Sequence, residues 1–163
     1  METSNNLRPL IEEAIKLELN MAKAYLFFHH IFPEDAGFWW KIAFEEEHHA
    51  ALLRSGEQYF LDAGEFPSEL VGNSLEALTN FNSEIESILR QGREVHPSRE
   101  FAFNLALKLV ESAGEVHFQH AMHETEHPSE AIKLFQSLNE RDMDHADRIR
   151  SYMRQNGIGV TSQ

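Results

Sequence analysis

The chain has 163 residues, enough for one domain with a real core and too few for two ordinary ones. Its 27 acidic against 14 basic residues give a formal net charge of −13, which argues against nucleic-acid backbones and anionic lipid as partners. With no cysteine, disulfides, zinc–thiolate sites, iron–sulfur centres and thiol nucleophiles are excluded.

The opening METSNNLRPL has no basic segment followed by an apolar one, and no apolar run approaches the roughly 18 residues of a membrane span. A cytoplasmic location is the expectation. Glycine and proline are scarce and cluster between long stretches of helical period, which predicts an all-α fold. The first helix is expected at about 6–31, with Pro9 in its first turn and Pro33 after its end. The second is expected at about 34–63, ended by Gly64. The crossover 64–97 contains a short helix at 74–91, capped by Asn73 or Ser74. Two more long helices follow, 98–126 after HPSRE and 129–156 after HPSE. Short links within each pair and a long one between them suit a four-helix bundle of two helical hairpins in a single domain.

Helical phase separates the charged residues of AFEEEHHAALL (43–53). At about 100° per residue, Glu46 and His49 share a face with Trp39, Ile42, Ala43, Ala50, Leu53 and Phe60. Glu45, Glu47 and His48 fall on the polar side. On the first helix Glu18 lines up with Ile11, Ala14, Met21, Ala22, Tyr25 and Phe28. On the third Glu111 lines up with Phe103, Leu107, Val110, Gly114, Phe118 and Ala121. On the fourth, Asp142 and His145 line up with Phe135, Leu138, Ala146, Ile149 and Met153.

The halves repeat. A shift of 96 carries Glu46 and His49 onto Asp142 and His145, and a shift of 93 carries Glu18 onto Glu111. Burying carboxylates costs several kcal/mol each unless they are paired or bind metal. No lysine or arginine lies in these stripes, so two divalent cations are the expected partners. The i, i+3 spacing puts both ligands of each Glu/Asp-x-x-His pair on one helix face. Two such pairs plus a glutamate on each remaining helix form the constellation of dinuclear carboxylate sites in helix bundles.

AIKLELNMAKAY (14–25), AFEEEHHAALL (43–53), LVESAGEVHF (109–118) and NERDMDHADRI (139–149) together resemble the ferritin-like superfamily, specifically its rubrerythrin-type members. The resemblance implies a ferritin-like bundle with two iron ions, or manganese or a mixed pair, on Glu18, Glu46, His49, Glu111, Asp142 and His145. It implies reaction with hydrogen peroxide or dioxygen, an external electron donor and a homodimer. The sequence departs from the family at Asp142, where glutamate is usual, and in lacking the four-cysteine rubredoxin domain. The family's extra third-helix glutamate has its nearest counterpart in Glu115, about 40° off the stripe, an additional candidate ligand. Tyr25 is placed to hydrogen-bond a ligand carboxylate. His117, His120, His123 and His127 point away from the stripe and read as surface residues. Two other readings stand beside an oxidoreductase: an Fe(II)-oxidising or iron-carrying protein without turnover, and a helical interaction module whose site is vestigial.

Overall fold

The computed structural model describes residues 2–123, 126–139 and 144–161, which are all-helical with no strand among them. Helix α1 (Glu2–Ile31) turns through a 3-10 segment, Pro33–Asp35, into α2 (Ala36–Gly56), which continues as a π turn over Glu57–Leu61. The two form a hairpin, packed along most of their length. After a 3-10 turn at Ser68–Leu70, α3 (Leu75–Glu94) packs along α1. Helices α4 (Arg99–Val110) and α5 (Ala113–His123) lead to α6 (Glu130–Leu138) and α7 (His145–Gln155), with α4 against α7 and α5 against α6. No described helix is long and apolar enough to cross a membrane.

The helix starts follow their capping residues. The hydroxyls of Ser74, Ser98 and Ser129 accept from the backbone N–H of Ala77, Phe101 and Ile132, each satisfying a donor that the first turn would leave unpaired. Asp144 does the same for Asp147 at the start of α7.

The third and fourth helices are not continuous, as 98–126 and 129–156 had implied. Helix α4 ends at Val110, Glu111 and Ser112 form a turn, and α5 starts at Ala113. The break falls at Ser112-Ala113-Gly114, where Gly114 costs the helix about 1 kcal/mol and α4 and α5 pack against different neighbours. In the last pair, α6 ends at Leu138 and α7 begins at His145. Leu138, placed on the core stripe by a continuous helix, is instead exposed.

The core is dominated by aromatics. Trp39 lies against Phe103 (4.3 Å between ring centroids), Phe28 (5.0 Å) and Tyr25 (5.8 Å). Two polar devices hold the elements in place. Asp35, buried in the first connection, accepts from Arg99 Nε (2.7 Å) and Nη2 (2.6 Å) and from the Tyr152 hydroxyl (2.8 Å), joining the first hairpin to α4 and α7. Asn82 of α3 accepts from Asn20 (3.0 Å) and donates to the Glu13 carbonyl (3.0 Å) and carboxylate (2.8 Å), pinning the crossover helix to α1.

Candidate metal centre

Midway along the first hairpin, Glu18 of α1 meets Glu46 and His49 of α2, all three buried as their helical phase requires. From the other side come Glu115 of α5 and His145 of α7, also buried. Glu18, Glu46, His49 and Glu115 each offer a ligand atom within 4.8 Å of the others.

Glu46 is central. Its Oε2 lies 3.2 Å from His49 Nδ1, which is in turn 3.4 Å from Glu18 Oε2. Its Oε1 lies 3.1 Å from His145 Nδ1, which is 3.4 Å from Glu115 Oε1. Each oxygen of one carboxylate therefore faces its own imidazole nitrogen, and behind that nitrogen its own glutamate. The two rings lie nearly parallel with centroids 5.4 Å apart.

Burial and neighbouring charges pull the protonation of three members apart. Burial, reinforced by Glu115 and Glu46, pushes the Glu18 carboxyl well above the usual range, toward its neutral form. For Glu46 burial acts the same way but is outweighed by His145 and His49, which hold it ionised. Burial pulls the His145 imidazole down; Glu46, Glu115 and Glu45 prevail and raise it well above its ordinary value.

These atoms could hold a metal ion. Glu115 Oε2 is buried with no hydrogen-bond partner, and Glu18 Oε2, Glu46 Oε1 and His145 Nδ1 meet only one another or His49 in long contacts, an arrangement that a bound cation would stabilise. The oxygen and imidazole donor set suits iron, manganese or another first-row divalent ion.

Of the residues expected as ligands, Glu18, Glu46, His49 and His145 come together, and Glu115 joins them. Glu111 does not: it stands in the turn after α4, partly exposed and ion-paired with Arg150. The broken helix explains the difference, since the phase of α4 does not carry through Ser112 into α5. A sequence signal for Glu115 exists in the repeat. Glu18 to Glu115 is an offset of 97, one away from the 96 that relates the Glu/Asp-x-x-His pairs, whereas Glu111 required 93. Asp142 lies outside the described residues.

Glu45, read as solvated, takes a part in the site. It accepts from His145 Nε2 (2.9 Å) and from Arg148, one turn along α7. That bond fixes the outer nitrogen of His145 and leaves Nδ1 facing the cluster. Tyr25 is fully buried, but its hydroxyl is unpartnered, so the expected hydrogen bond to a cluster carboxylate is not made; burial together with Glu46, Glu115 and Glu18 holds its proton on. His117, His120, His123 and His127 are exposed, as their phase implied. No protein-family model, curated protein or solved structure matches this chain, so the functional reading rests on the cluster's own geometry.

Proposed function

We propose that the chain is a ferritin-like di-iron carboxylate protein of rubrerythrin type, reacting with hydrogen peroxide or dioxygen. The observation that carries this reading is the two-sided environment of Glu46. Glu18 and His49 on one side and Glu115 and His145 on the other would hold the metal ions together with Glu46, whose two oxygens face both sides. Bound there, an iron pair supplies the redox equivalents for reducing peroxide or oxygen, replenished by an external electron donor.

The chain's own residues prepare that chemistry. Glu45 and Arg148 orient His145, Gln119 Nε2 donates to Glu115 Oε1 (2.8 Å), and the apolar wall from Phe118 and Tyr25 limits water. The Tyr25 hydroxyl is an unengaged proton donor in the field of three carboxylates. A stacked pair, Trp40 and Phe44, stands exposed on the outer face of α2 and is where we place the contact of a homodimer.

Anaerobic Fe(II) titration of the metal-free protein tests the reading. Saturation near two ions per chain, lost in Glu46→Ala, supports it; no saturable binding overturns it. The rival reading, iron handling without turnover, is favoured by the acidic surface and distinguished by reductant-dependent turnover with peroxide.

A further inference from the structure

A surface pocket of about 340 Å³ opens between α5 and α7. Its floor is the carboxylate and imidazole cluster: Glu115 and His145 line it, 0 % and 1 % exposed, and the buried Glu115 Oε2 has no hydrogen-bond partner. Its walls and rim carry Glu111, Asp144, Asp147 and His123. Among its described lining residues Arg150 is the sole fixed cation, and Glu111 holds it in an ion pair.

We infer that this pocket is the port through which divalent cations reach the buried cluster, with Glu111 and Arg150 setting its charge. The inference rests on the proposed metal site and adds a route to it. The route begins at exposed carboxylates, which lower the cost of stripping water from an incoming cation, and ends at buried oxygen and nitrogen ligands. Glu111, outside the coordination cluster, here acquires a role of its own, neutralising the guanidinium that would otherwise repel a cation at the mouth. The break between α4 and α5 puts Glu111 at this rim while Glu115, four residues on, lies on the floor. Electrostatic steering of this kind changes association rates by 10-fold or more and fades with salt.

The test is stopped-flow mixing of metal-free protein with Co(II), read by visible absorption, together with the rate of cobalt removal by excess chelator. Glu111→Gln leaves the Arg150 charge unopposed and is expected to slow association several-fold at low salt. Arg150→Gln is expected to speed it. Val116→Trp, at a rim position 49 % exposed, is expected to slow uptake and release together by about 10-fold with affinity unchanged, as a blocked passage requires. Val95→Trp, exposed on a different groove, serves as the control and is expected to bind like wild type. Wild-type uptake of two cobalt ions with all three rim variants binding at the wild-type rate overturns the port and leaves the metal site standing. A wild type that takes up no cobalt overturns the metal site, and the port with it.

Discussion

Replacing Glu115 and replacing Glu111 are superficially alike, since each removes a glutamate at the break between α4 and α5, but they should have different consequences for metal stoichiometry. Glu115→Ala deletes a buried ligand beside His145 and should lower Fe(II) stoichiometry to one or none; Glu111→Ala removes a half-exposed ion pair and should leave it near two, as equilibrium titration would reveal. Tyr25 offers a test of its surroundings through pH. Its proton is held in the fold beyond the usual tyrosine range, by burial and then by Glu46, Glu115 and Glu18. A group whose folded pKa is raised stabilises the fold below its unfolded pKa, about 10, and that contribution is lost as pH rises further. Stability of the metal-free protein should fall above about pH 10, and Tyr25→Phe should flatten that fall in urea unfolding curves. Four residues of the cluster were legible in the sequence because each sits within an unbroken helix or directly after a cap, where a 100° step holds. Glu115 was legible only as an outlying candidate and Glu45 not at all. The first lies beyond a local break, and the second acts through a residue on a distant helix that no periodicity links to it.

At the scale of elements, sequence marks starts better than interruptions. Ser74, Ser98 and Ser129 all cap where turn chemistry placed them, because a cap is a local bond. The break at Glu111–Ser112 follows from packing of α4 and α5 against different neighbours, which local propensity does not encode. Gly56 shows the same dependence on distant contacts. A Cβ there would come within 2.6 Å of the Phe135 ring, so the end of α2 approaches α6 as closely as it does only because the side chain is absent. Gly56→Ala gains about 1 kcal/mol of helix propensity but overpacks the contact by roughly 1–3 kcal/mol. A net loss in stability is expected, measurable as a lower denaturation midpoint with unchanged m-value. The Asp35 clamp should matter more. Asp35→Ala removes two charge-assisted bonds from Arg99 and one from Tyr152, at about 2–3 kcal/mol, the lower part of the range for buried pairs because Arg99 is about a third exposed.

For the whole molecule, the buried cluster is a local liability that metal binding, as proposed, would convert into support. Glu18, buried beside Glu46 and Glu115, opposes folding when no cation is present, since burial and then its neighbours disfavour its charged form. The double substitution Glu18→Gln with Glu115→Gln should abolish metal binding and yet raise the stability of the metal-free fold by about 1–2 kcal/mol, as calorimetry in chelator would show. In the wild type, metal at 100 times its Kd should add about 2.7 kcal/mol, or roughly 5–10 °C in Tm. Trp39 and Trp40 give such experiments an optical readout. Neighbours in sequence, they stand about 100° apart around α2. The first is fully buried among aromatic rings next to the Tyr25 end of the cluster, and the second is 54 % exposed beside Phe44. Their fluorescence should separate into a blue component inaccessible to aqueous quenchers and a red one that quenchers reach. A paramagnetic ion in the core would dim the first, self-association through α2 would shield the second, and a single spectrum would report both events independently.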